Sequence, residues 1–134
     1  MKNIVIDCNV YISAFMESDT CLKAIDKAFA YYNVCYSEPT LQELLKTIEK
    51  PKLKPIIKEE RVKVTLQLLH SLGKSVSPSL CGIDLPDPDD TIYLDLAISV
   101  NAAHIITGNK KHFPGKACKG VQILSPGEFI KGKL

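Results

Sequence analysis

Short continuous apolar runs alternate along this chain with longer stretches of helical periodicity. "NIVID" (Asn3–Asp7), "VCY" (Val34–Tyr36), "HIIT" (His104–Thr107) and "VQIL" (Val121–Leu124) are of the first kind. Runs of this length without apolar-polar alternation predict strands buried on both sides, as in a parallel sheet covered by helices. Lys74–Pro78 is a weaker candidate for a further strand. A short helix is expected from Val10, and another over Cys21–Tyr32, where Leu22, Ile25 and Phe29 fall at helical spacing. Ser37 reads as an N-cap with Pro39 in the first turn, followed by Leu41, Leu44, Leu45 and Ile48 on one face and ended by Pro51. Lys58–Leu72 is amphipathic and stops at Gly73. Asp90–Val100 is apolar nearly all round, which predicts a helix buried on more than one side. "SPGEF" near the C-terminus is a helix-start pattern. No repeat, low-complexity tract or Gly/Ser-rich linker divides the 134 residues, which read as one domain, 1–134. Strand-helix alternation makes the fold class α/β with a central, mainly parallel sheet.

Charge adds little by its total and more by its distribution. A net charge of +2 is too small to indicate a polyanionic partner by itself. Lysines nevertheless cluster in "KTIEKPKLKPIIKEER", in "GNKKHFPGKACK" and in the closing "KGKL", and the acids gather in "DLPDPDD". Basic segments around an acidic cluster suit a polyanion held beside metal-binding carboxylates; solvated lysines on helix faces are the plainer reading. No apolar stretch approaches the ~20 residues that span a bilayer, and the run before Asp7 is too short for a signal peptide. A cytoplasmic protein without a membrane partner is expected. Five scattered cysteines, odd in number and without a C-x-x-C pair, argue against a zinc ribbon or a disulfide framework and for reduced, buried thiols.

In a parallel sheet flanked by helices, ligands bind beyond the carboxyl ends of the strands. Asp7 ends the first strand and Asn109 closely follows another, while Glu43 and Asp90 lie early in helices that begin at the same sheet edge. Four polar groups therefore converge. Grouped carboxylates repel one another unless a cation neutralises them. Mg²⁺ or Mn²⁺ suits such oxygen donors and can position water against a phosphodiester. Each residue also has an ordinary reading. Asp7 could cap the next helix. Glu43 lies opposite the leucine face, where amphipathicity alone leaves it in solvent. Asp87, Asp89 and Asp90 precede a helix, whose positive end favours acids. Asp95 reads as a polar-face residue or ion-pair partner. His112 is a phosphate contact or a structural or exposed loop histidine; Lys110 and Lys111 are phosphate contacts or solvated lysines. The tyrosines fall at core spacing, and none is given a role in base stacking.

Four segments in order, "IVIDCNVYISAF", "SEPTLQELLKTIEKPKL", "DPDDTIYLDLAISVNAAHIITGNKKHFP" and "ILSPGEF", resemble the PIN-domain nucleases over nearly the whole chain. They are closest to the branch of toxin components related to VapC-like ribonucleases. The resemblance implies a three-layer α/β/α sandwich with a divalent-metal site built from acids. Asp7 matches the acid ending the family's first strand and Glu43 its helix glutamate. Asp90 is the choice for the third acid, with Asp87 and Asp89 near enough to leave the register open. Asn109 stands where many members carry aspartate; its carbonyl can still coordinate but brings no charge. Thr107 and Asn9 would orient ligands or a bound water. The activity implied is Mg²⁺- or Mn²⁺-dependent cleavage of RNA by a toxin that pairs with a small antitoxin and forms a homodimer. A degenerate PIN domain that binds RNA or protein without catalysis is the alternative. A third reading takes "IDCN" as a variant of the D-x-D loop of haloacid-dehalogenase-type phosphatases, with Asn9 in place of the second acid.

Overall fold

The computed structural model describes residues 1–115 and 118–132. Its elements run β1 (Asn3–Ile6), α1 (Cys8–Phe15), α2 (Asp19–Tyr31), β2 (Asn33–Tyr36), α3 (Glu38–Ile48), α4 (Glu59–Leu72), β3 (Lys74–Ser75), α5 (Thr91–Ser99), β4 (His104–Ile106), β5 (Gln122–Leu124) and α6 (Pro126–Lys131). Single 3₁₀ turns, Pro88–Asp90 and Lys110–His112, precede α5 and follow β4. The sheet order is β3-β2-β1-β4-β5 with every pairing parallel, and helices cover it in a three-layer α/β/α sandwich.

The chain steps outward from β1 to β2 and β3, then returns to the other side of β1 for β4 and β5. The order therefore reverses between β1 and β4, and a crevice opens beyond the carboxyl ends of those two strands. Asp7 is the first residue past β1 and Thr107 the first past β4. Their backbones lock the corner: Asp7 N–H donates to Ile106 O and Thr107 N–H to Leu124 O, both at 2.9 Å.

Local sequence accounts for the helix starts. Ser37 and Thr40 form a reciprocal cap on α3, and Ser125 and Glu128 do the same on α6, each with proline in the first turn. The first helix differs from expectation. It begins at Cys8 rather than Val10, so that β1 passes into α1 with only Asp7 between them. The third strand is shorter than expected: only Lys74 and Ser75 pair with β2, at the exposed sheet edge. Beyond it, Val76 N–H still donates to Tyr36 O at 2.9 Å.

Helix α5 buries Tyr93, Leu94, Asp95, Leu96 and Ala97 in succession. It packs on β1, β4 and α3, which leaves it no polar face. Asp95 accordingly is not solvent-facing, nor is it ion-paired among the described residues. At 5% exposure, its Oδ1 accepts the Cys81 N–H at 2.9 Å and ties the loop leading to Asp87 onto α5. A carboxylate in such a position must pair with the backbone to offset its lost hydration. No described helix is long and apolar enough to cross a membrane.

Candidate metal centre

Asp7 is buried to 4% exposure at the crevice. It occupies the N-cap position of α1, yet its side chain makes no capping bond. Two neighbours hold it instead: Thr107 Oγ1–H donates to Asp7 Oδ2 at 2.8 Å, and Asn9 Nδ2–H to the same oxygen at 3.1 Å. Asn9 Oδ1 in turn accepts the Gly108 N–H at 3.0 Å, joining the exits of β1 and β4. Both side-chain bonds fall on Oδ2. Burial pushes the Asp7 carboxyl up to about 6; the Thr107 hydroxyl opposes this, as does Asn9, while the charges of Asp90 and Glu43 add to it.

The open cleft is lined by Asp7, Asn9, Glu43, Asp87, Asp89, Asp90, Asn109 and His112. Glu43 reaches it from the middle of α3, half-buried, and its Oε1 accepts the Tyr93 hydroxyl. Asp87 caps the 3₁₀ turn, with Oδ1 accepting the Asp89 N–H at 2.9 Å. Asp90 lies one turn on with its carboxylate 14% exposed, and Oδ2 stands 2.9 Å from His112 Nδ1. Asp90 Oδ2 is shielded from solvent and meets no well-aligned donor besides this imidazole. Burial raises the Asp90 pKa; the adjacent His112 opposes it and the Asp87 and Glu43 charges add to it. Asn109 is exposed at the rim, its N–H donating to Thr107 Oγ1 at 3.0 Å. Lys110 and Lys111 do not line the cleft, and Lys110 is paired with Glu128 at 2.9 Å.

A family model described as PIN domain matches residues 3–111 of the sequence. The chain belongs to the PIN-domain family. In overall shape this PIN domain is similar to a chain in the crystal structure of VapBC2 from Rickettsia felis bound to a DNA fragment from their promoter. The TM-score is 0.64 at 16% identity, with 92% of this chain and 98% of that one covered. Comparison with curated protein sequences finds no match.

A divalent cation is the group that a PIN domain implies, and the donors present fit one. They are hard oxygens of like charge gathered in one cleft, two of them with raised pKa values and one oxygen shielded from solvent. Among the described residues, three acid or histidine donor atoms lie within 4.8 Å of one another only in Asp87, Asp90 and His112. Asp7 and Glu43 face this group across the same cleft.

Three contributors were not singled out from the sequence. Tyr93 was placed in the core, where it is 1% exposed, but its hydroxyl also accepts the Cys8 N–H at 3.3 Å while donating to Glu43. One buried group thus links the start of α1, the middle of α3 and the helix that follows Asp90. Burial keeps the phenol neutral, with its pKa driven upward. Thr47, four residues beyond Glu43 on α3, and Lys50, just past the helix end, also line the cleft. Cys8 lines it too, but burial pushes its thiol up to about 11, so it is not a nucleophile at neutral pH. Removing the Tyr93 hydroxyl by Tyr93→Phe is expected to weaken Mn²⁺ binding by ~10-fold in titration calorimetry, without changing helix content. Unchanged affinity would show that Tyr93 only fills space.

Proposed function

We propose that this PIN domain is a metal-dependent endoribonuclease, the toxin of a toxin-antitoxin pair. The observation that carries the reading is the convergence of Asp7, Glu43, Asp87 and Asp90 on one cleft at the sheet's switch point, with an Asp90 oxygen shielded from solvent there. Asp7, Glu43 and Asp90 would hold Mg²⁺ or Mn²⁺. A cation bound there supplies the positive charge that phosphodiester hydrolysis requires. Thr107 and Asn9 fix the tilt of the Asp7 carboxylate, and Tyr93 that of Glu43. Lys50, at the rim, is the lysine placed to meet an RNA phosphate, a role that Lys110 gives up to Glu128. Because Asp7 must ionise to bind a cation, activity is expected to fall as pH drops below about 6. The similarity to a VapBC2 chain supports a small protein antitoxin as partner; a homodimer and a cytoplasmic location accompany that reading.

The test is incubation of the purified chain with structured and unstructured RNAs in Mg²⁺, Mn²⁺ or EDTA. Cleavage is expected with either ion and absent in EDTA or after Glu43→Gln. Cleavage that persists in EDTA would sink the mechanism. RNA binding without any metal binding would favour the non-catalytic module, a reading that the neutral Asn109 motivates.

A further inference from the structure

We infer that His112 is a nitrogen ligand of the proposed cation, and that it tilts the site from Mg²⁺ toward a first-row transition ion such as Mn²⁺. This rests on the metal reading above and deepens it by naming a donor and a preference. In the sequence His112 follows Asn109, the neutral residue in the acid's place, by three positions. The 3₁₀ turn Lys110–His112 carries it back over the cleft. There its Nδ1 stands 2.9 Å from Asp90 Oδ2, and both atoms belong to the group with Asp87 that lies within 4.8 Å.

The spacing suits two ligands of one ion. Octahedral ligands about 2.1 Å from an ion stand about 3 Å apart when adjacent and about 4.2 Å when opposite. The Asp90–His112 spacing matches the adjacent distance, and Asp87 stands close enough to complete the group with a small side-chain adjustment. Asp90 Oδ2 is shielded from solvent, and the His112 imidazole is the polar group beside it. Asp87 keeps one oxygen free, because its Oδ1 is taken by the Asp89 N–H. The donor set is therefore two carboxylates and an imidazole, with Asp7 and Glu43 across the cleft. Imidazole nitrogen is a poor ligand for Mg²⁺, which prefers oxygen and water, and a better one along the transition series. The charge missing at Asn109 is thus replaced by a ligand of different chemistry three residues later.

The experiment is pulsed electron paramagnetic resonance of the full chain loaded with Mn²⁺, alongside calorimetric titration with Mn²⁺ and Mg²⁺. The wild-type chain is expected to show ¹⁴N modulation from a coordinated imidazole. His112→Ala should lose that signal and bind Mn²⁺ ~10-fold more weakly, with a much smaller change for Mg²⁺. His112→Asp, which returns an oxygen donor, should recover Mg²⁺ binding without the nitrogen signal. Mn²⁺ bound to the wild-type chain without ¹⁴N modulation, or with a signal that survives His112→Ala, overturns the inference and leaves the metal reading intact. Failure of the wild-type chain to bind Mn²⁺ or Mg²⁺ overturns both.

Discussion

Without metal at pH 8, Asp7→Asn is expected to be more stable than the wild-type chain by up to about 3 kcal/mol, while losing metal binding and more than ~100-fold in RNA cleavage. The gain follows from burial. At 4% exposure the Asp7 carboxyl rises from 3.8 to about 6. At about 1.4 kcal/mol per pH unit, that rise corresponds to about 3 kcal/mol. Because the folded value lies above the unfolded one, the stability tied to Asp7 is fully present below about pH 3.8 and lost as pH rises through about 6. Asparagine does not titrate, so the gap between variant and wild type opens across that window and is flat above it. An asparagine oxygen in the Oδ2 position can still accept from both Thr107 and Asn9, but the new amide nitrogen then needs an acceptor, so about 3 kcal/mol is a ceiling. Denaturant melts in EDTA at pH 4, 6 and 8 measure it. Equal stability at pH 8, or a gap unchanged from pH 4 to 8, would show that Asp7 is not held ionised against its surroundings. Saturating Mn²⁺ should reverse the order, since only the wild-type chain gains binding free energy. A carboxylate that destabilises the fold until a cation arrives is one retained for binding.

Continuous apolar runs made β1, β2 and β4 readable, because a strand covered on both faces needs no alternation; β5, at the sheet edge with Gln122 exposed, carries a weaker form of the signal. Asp7 was readable for the same reason: a carboxylate directly after "IVI" has to emerge at the sheet edge. Glu43 was not readable from periodicity. Helix α3 lies between core and cleft, so the side opposite its leucines faces the site rather than solvent; only the expected topology and the family resemblance pointed to it. Asp95 was misplaced because a helix apolar all round offers no pattern to show which neighbour will satisfy its one acid. Tyr93 was hidden by the same helix, since core spacing describes the ring and says nothing of the hydroxyl. His112 depends on a 3₁₀ turn too short to leave a periodic trace. Each of these depends on a tertiary neighbour that single-chain periodicity does not contain.

Thr107→Val is expected to cost about 2–3 kcal/mol at pH 8 and distinctly less at pH 5. Valine is close in shape and favoured at the end of a strand, so the change removes a hydroxyl rather than a packing unit. Thr107 is fully buried, and its Oγ1 serves two partners: it donates to Asp7 Oδ2 and accepts the Asn109 N–H. A hydrogen bond to a charged group contributes about 1.5–3 kcal/mol, while the exposed Asn109 amide can recover part of its loss from water. The pH dependence gives the prediction its direction. The hydroxyl holds the Asp7 pKa down against burial, so its removal moves the folded value above about 6. The penalty then falls on ionised Asp7 and grows as pH rises through that value. In an Asp7→Asn background the cost should shrink and lose its pH dependence, the non-additivity expected of two groups in contact. An equal cost at both pH values, or the same cost with asparagine at position 7, would reduce Thr107 to a strand-end packing residue. Cleavage and Mn²⁺ affinity separate the roles further. A hydroxyl that sets the tilt of Asp7 should reduce both by ~10-fold or more when removed, whereas one that only closes β4 would lower stability and leave the metal where it was.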